Sequence, residues 1–273
     1  MIRVQNHVRA WLAPDPPAGI LYVDEPDDRR IVGYEIAIVF AGTLGYAGVT
    51  SLISLIDSEL RPGPLSSQRA FLNVPQARAS VLDLFAQLAH IGMLLAWGCL
   101  GIYLIWRAGC RLAEVGLGRF EPRPDIGIGV LLTAVIGIPG LGLYFAARAL
   151  NLDLTVLPST LTDTWWRIPV LVLAAAANAW AEEAMVVAYF ISRLRQLGLR
   201  ENTSVAFAAV LRGSYHLYQG FGGFIGNFVL GCVFGRVWQR TNRLWPLVIA
   251  HTLLDTVSFV GFALLVNHLS FLK

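Results

Sequence analysis

Residues 166–191 read WRIPVLVLAAAANAWAEEAMVVAYFI, a stretch apolar but for Arg167, Asn178 and two adjacent carboxylates, Glu182 and Glu183. As a helix rising about 1.5 Å per residue, it reaches roughly 39 Å, more than the roughly 30 Å of hydrocarbon in a bilayer. It is long enough to cross a membrane, and it carries two acids at mid-depth. Ionisable side chains there are costly and rare, so they mark polar work done inside the membrane.

The rest of the chain belongs to the same solvent. Of its 273 residues 56% are hydrophobic and only 14% charged, with a mean hydropathy of +0.59. Soluble domains carry about a quarter charged residues. The composition predicts an all-α polytopic transmembrane bundle of about seven to eight segments around a mid-membrane polar cavity. The expected segments are 31–56, 81–106, 126–147, 166–191, 203–217, 221–238 and 244–265. The fifth is short and holds Arg212 and His216. It reads as a tilted or broken helix, or as half of a tight hairpin with the sixth through Tyr218-Gln219-Gly220.

Basic residues collect in cytoplasmic loops, which orients the bundle. With the N-terminus inside, the inner loops hold Arg3, Arg9, Arg29, Arg30, Arg107, Arg111, Arg119, Arg123, Arg193, Arg195, Arg200, Arg236, Arg240 and Arg243. The outer ones hold only Arg61, Arg69, Arg78, Arg148, Arg167 and Lys273. The bias alternates as seven crossings require, placing the N-terminus in the cytoplasm and the C-terminus outside; the expected location is a bacterial inner membrane. The net charge of +3 is then a topology signal that needs no nucleic-acid partner. Twenty arginines against a single lysine point to a GC-rich genome such as an actinobacterial one. Residues 1–30 are polar and proline-containing, with no apolar core of a secretory signal, and read as a cytoplasmic tail with a short interfacial helix over 4–12. Residues 31–272 form the membrane domain. The loops 57–80 and 107–125 are long enough to cover the outer and inner faces.

Cys99, Cys110 and Cys232 form no metal or disulfide pattern and read as small buried hydrophobes. Gly222, Gly226, Gly231 and Gly235, with the alanine run 174–177, are small residues at helical spacing that let helices approach closely.

The chemistry lies in the last third. Glu182 and Glu183 sit about 100° apart around a helix, so they serve different partners. Arg212 and His216 are spaced i, i+4 and share one face, and His251 and Asp255 repeat that spacing. Counted from the arginines at the inner ends, Glu182 lies about 16 Å deep and His251 about 12 Å, while His216 is about 21 Å from Asn202. The groups can meet in one layer if the helices pack around a cavity. A carboxylate and two imidazoles there could polarise a water, bind a metal or relay protons. Taken singly, the acids could equally hold helices together, and His216 or His251 could make interhelical hydrogen bonds. His90, with no polar partner nearby in sequence, reads as packing or as support behind the site.

The order Glu-Glu, then His, then His-x-x-x-Asp resembles the CAAX protease and bacteriocin-processing (Abi, CPBP) family of intramembrane endopeptidases. Its first motif, Glu-Glu-x-x-x-Arg, is matched by Glu182 and Glu183; its second, Phe-x-x-x-His, by His216; its third, His-x-x-x-Asn/Asp, by His251 and Asp255. The stretch 211–220, LRGSYHLYQG, also resembles actinobacterial members. The likeness covers 165–261, the expected catalytic core. It departs at Val187, where the motif has arginine, and at Arg212, where it has phenylalanine. One reading is that Arg212 supplies the missing cation to Glu183 from the next helix; the other is that it merely lines the cavity.

The resemblance implies hydrolysis of a peptide bond in a membrane-associated peptide or protein, without a covalent enzyme intermediate. Glu182 would be the general base for a water that His216 also holds, His251 would donate to the oxyanion, and Asp255 would orient His251 and stabilise its charge. No cofactor is required by this scheme. There is no His-Glu-x-x-His zinc motif, though Glu182, His216 and His251 would suffice as three ligands of a catalytic zinc. Two rival classes stand beside it, a non-catalytic scaffold or immunity protein of the same fold and a proton-coupled transporter. The transporter would be expected to show inverted repeats, and none is seen.

Overall fold

The computed structural model describes residues 11, 14, 16–17 and 20–265. The expected interfacial helix over 4–12 falls, apart from residue 11, outside the described residues, as do Arg3, Arg9 and Lys273.

Eight helices are described. The first expected segment is two of them, α1 (Pro26–Ala41) and α2 (Leu44–Leu60), bent by 53° at Gly42-Thr43. Pro26 opens α1, its fixed φ suiting a first turn, with Asp27 and Asp28 beside the positive helix end. The break is built by close approach. The backbone folds back so tightly that a Cβ on Gly45 would sit 2.6 Å from the Phe40 carbonyl oxygen, and the Thr43 hydroxyl donates to the Val39 carbonyl at 2.7 Å.

Next come α3 (Ser80–Arg107), α4 (Pro122–Ala149) and α5 (Arg167–Gln196), each long and apolar enough to span. The apolar window of α5 is 72% buried, whereas those of α3 and α4 are 28% and 11%. So α5 is the helix around which the others pack. Its run of small residues makes that possible, since alanines at 175, 177, 179 and 181 let neighbours come close on several sides. From Glu183 to Ile191 its turns widen into a π-helix before α-helix resumes at Ser192.

The fifth expected segment is α6 (Glu201–Ser214), about 21 Å long and too short to cross the hydrocarbon by itself. It forms a hairpin with α7 (Phe221–Thr241) through the turn at 215–220. The glycines seat it. A Cβ on Gly231 would lie 2.9 Å from Ala209 Cα, and one on Gly213 would lie 2.8 Å from the Phe224 ring. The last helix, α8 (Trp245–Leu265), packs against α4 and α5. By length and composition five helices can span, or six if the bent pair is one span. The expected seven is reduced by the shortness of α6, which is not among the candidate spans.

The two ends differ. At one, Val23 N–H donates to Gln196 O, the Trp238 indole to Val115 O and Leu244 N–H to Gly116 O, gathering the arginine-bearing loops. At the other, β1 (Arg69–Asn73) and β2 (Thr155–Ser159) pair in parallel, Arg69 opposite Thr155 and Asn73 opposite Ser159. The 57–80 loop thus holds a strand that sequence periodicity did not show. A parallel pair needs a crossover, and here the crossover runs through α3 and α4.

Candidate functional site

Three helices bring the polar groups together inside the bundle. Glu182 ends the α-helical part of α5 and Glu183 begins its π-helix, so the register changes between the two acids. Wide turns of this kind recur at functional sites. Both side chains are buried, as are Arg212 from α6 and His251 from α8.

Arg212 lies between the acids. One terminal nitrogen donates to Glu183 Oε1 at 2.7 Å and the other to Glu182 Oε2 at 3.3 Å, while its guanidinium stands 5.7 Å from the Phe234 ring centre. The acids otherwise diverge. Glu182 Oε2 accepts from the Tyr215 hydroxyl at 2.6 Å and Oε1 from the Asn178 amide at 3.1 Å; Glu183 Oε1 accepts from His251 Nδ1 at 2.8 Å. Among the described residues Glu183 Oε2 and Arg212 Nε have no hydrogen-bond partner. Losing Arg212 would strand two buried carboxylates, a change that typically costs about 3–5 kcal/mol.

His216 sits just past α6, where the chain turns. Its Nδ1–H donates to the Arg212 carbonyl at 3.0 Å; a carbonyl can only accept, so the proton is on Nδ1 and Nε2 carries a lone pair in the neutral ring. Its ring centre lies 4.8 Å from that of Tyr215, whose hydroxyl donates to Glu182. His251 has Asp255 Oδ2 3.6 Å from its Nε2, within ion-pair reach but beyond a hydrogen bond. Its short contact is to Glu183.

The turn that presents His216 is pinned from outside the spans. Leu154 N–H donates to Gln219 O and Phe221 N–H to Leu152 O, bracketing Gly220 at φ +119°. A Cβ there would meet the Leu152 carbonyl at 2.5 Å, so the close approach needs glycine. Asp153 Oδ1 accepts from Gly222 N–H at 2.7 Å and Gly223 N–H at 3.3 Å, capping α7. Burial pushes the Asp153 carboxyl above the ordinary aspartate value, and those two donors pull the other way.

The structure therefore assembles Glu182, Glu183, Arg212, His216, His251 and Asp255 in one cluster. It adds two residues that sequence reasoning passed over, Asn178 and Tyr215. A signal existed for each: Asn178 is a lone amide four residues before Glu182 in an alanine run, and Tyr215 is a hydroxyl next to His216. His90 is not part of the cluster, since it lies on the exposed face of α3. A zinc ligand set does not fit. Among the described residues no three His, Cys, Asp or Glu side chains are placed to hold a metal, and the cation beside Glu182 is a guanidinium.

Comparison with known proteins bears on residues 164–257, which match the family described as type II CAAX prenyl endopeptidase Rce1-like. That stretch is roughly a third of the chain and contains every residue of the cluster. No curated protein and no solved structure matches. Residues 164–257 are thus similar to a protease family, within a chain of which five described helices are long and apolar enough to cross a membrane.

Proposed function

We propose that the Rce1-like domain is an intramembrane endopeptidase that cuts a membrane-associated peptide or protein with a water activated by Glu182 and His216. The observation that carries this reading is the setting of Glu182, a buried carboxylate held by Arg212, Tyr215 and Asn178, with the His216 ring packed near Tyr215 and its Nε2 without a hydrogen-bond partner among the described residues. A base with three hydrogen-bond donors has a set orientation, which proton transfer requires.

In the reaction, water is held between Glu182 and His216 Nε2. As its oxygen bonds to the scissile carbonyl carbon, its proton passes to Glu182 and the carbonyl electron pair moves onto oxygen. His251 turns its Nε2–H, free of any short bond to Asp255, toward that oxyanion. When the C–N bond breaks, Glu182 returns the proton to the departing amine. Arg212 performs the motif's missing role by binding Glu183 from the neighbouring helix, and Glu183 in turn holds His251. No step requires a metal. The arginine-rich end faces the cytoplasm of a bacterial inner membrane in this reading, following the positive-inside bias.

The test compares protein N-termini in cells carrying the wild-type chain with those carrying Glu182→Ala at matched abundance. N-termini lost in the variant, with uncut precursor accumulating, support the protease and name its substrates. Identical profiles overturn it.

A further inference from the structure

Asn178 stands one turn before Glu182 on α5 and reaches across to α8. Its Nδ2 donates to Glu182 Oε1 at 3.1 Å and to Asp255 Oδ2 at 3.0 Å, so one amide joins carboxylates from two helices. Chemistry decides which way the amide faces: reversed, its carbonyl oxygen would meet two acceptors. An amide nitrogen has two hydrogens, and here each goes to a different acid. Sharing one nitrogen, the two oxygens lie within about 6 Å of each other. Like charges at that range repel, and the bridging hydrogens offset the repulsion. Asp255 has no comparably short contact with His251, which lies 3.6 Å away.

We propose that Asn178 is a positioning residue for hydrolysis: its amide locks Glu182 to Asp255, so that the base on α5 and the His251 donor on α8 address one carbonyl from set directions. The inference rests on the protease reading. Two observations favour it over simple helix packing. Glu182 already has Arg212 and Tyr215 on Oε2, and Asn178 is what fixes Oε1. The same nitrogen also reaches the acid one turn beyond His251, so a shift in either carboxylate is felt by the other.

The test uses purified full-length protein in lipid nanodiscs and a synthetic peptide spanning a cut site found by the Glu182→Ala comparison. Asn178→Ala should lower kcat about 10- to 100-fold with KM within about twofold, the range expected for losing hydrogen bonds to a charged group. Asn178→Asp should be worse, because three acids then crowd together. Adding Asp255→Asn to Asn178→Asp restores one amide and one acid across the same gap and should recover at least about tenfold of the loss. Thermal unfolding of each variant separates folded fraction from rate. A wild-type kcat in Asn178→Ala, or a double variant no better than Asn178→Asp, overturns the inference and leaves the protease standing. If no N-terminus depends on Glu182, the protease reading fails and this inference with it.

Discussion

At the arginine-rich end, Arg193 and Arg195 each close on one carboxylate. Arg193 binds Glu35 through two nitrogens at 2.8 Å, with the Tyr189 hydroxyl on the same acid, and Arg195 Nε binds Glu201 at 2.7 Å while its guanidinium covers the Trp238 ring. At mid-bundle, Arg212 is divided between two acids, one acid is divided among three donors, and two imidazoles take part. Both regions set buried arginine against glutamate, and α5 and α6 take part in each. The first gives each arginine a single carboxylate, with neutral groups completing Arg193, and fastens α1 to α5 and α6 to the end of α5. Among the described residues, the second leaves Glu183 Oε2, Arg212 Nε and His216 Nε2 without hydrogen-bond partners, which is the expense of keeping groups ready for chemistry. Buried charge alone therefore does not distinguish a site from a fastener; a cation shared between two carboxylates, with an imidazole on one of them, does.

The largest effect that would test this contrast comes from removing one acid in each region. Glu182→Gln keeps the shape of the side chain but cannot take a proton, so cleavage should fall about 10²- to 10⁴-fold at a near wild-type unfolding midpoint. Glu35→Gln should do the reverse, lowering the midpoint while each folded molecule cuts at the normal rate. Rates measured per folded protein, with thermal unfolding alongside, check both. Equal loss of rate in the two variants would break the comparison.

Next is the pair Arg212→Ala and Arg195→Ala. The first strands two buried carboxylates and the second one, and each should lose about 3–5 kcal/mol of stability. Only Arg212→Ala should also slow cleavage in the molecules that remain folded, by less than Glu182→Gln does. Adding Val187→Arg, which restores a cation on the acid-bearing helix itself, should recover part of that activity. Full activity in Arg212→Ala would show that this arginine merely lines the cluster.

How much of this could be read from the sequence depended on the range of the interaction. The spans at 81–106, 126–147 and 244–265 lie within a few residues of α3, α4 and α8, because a long apolar run in lipid has no alternative but helix. The single segment 31–56 became two helices because its break depends on Gly45 meeting the Phe40 carbonyl, a contact that no hydropathy window registers. The strands were hidden for a different reason: Arg69 pairs with Thr155 across two intervening helices, and each strand is only five residues long. At the site, the residue types and spacings singled out the acids, the arginine and the histidines. The helix faces that turn Asn178 and Tyr215 onto Glu182 had to be seen in three dimensions, as did the π-helix that begins between the acids.

Tyr215→Phe sharpens the contrast further at smaller cost. It removes one hydroxyl from Glu182 while Arg212 and Asn178 remain, so a loss of about 10-fold in rate is expected, in keeping with one hydrogen bond to a charged group. A change confined to the unfolding midpoint would move Tyr215 from the site to the fasteners.

The smallest effect belongs to Asp153, which holds the His216 turn from outside the membrane spans. Its carboxyl is raised above the ordinary aspartate value by burial, so the folded state binds the proton more tightly than the unfolded chain does. The stability it contributes is fully present below the unfolded value and is lost as pH rises through the folded one. Asp153→Asn keeps an oxygen to accept from Gly222 and Gly223 but carries no charge to desolvate. Its unfolding midpoint should therefore stay level across that window while the wild-type midpoint falls, with a gap at neutral pH of no more than about 1 kcal/mol once the lost attraction to the α7 N-terminus is set against the gain. A wild-type midpoint that rises with pH over the same window would mean that the helix N-terminus, and not burial, governs this carboxylate, and that the turn is held by charge as the mid-bundle cluster is.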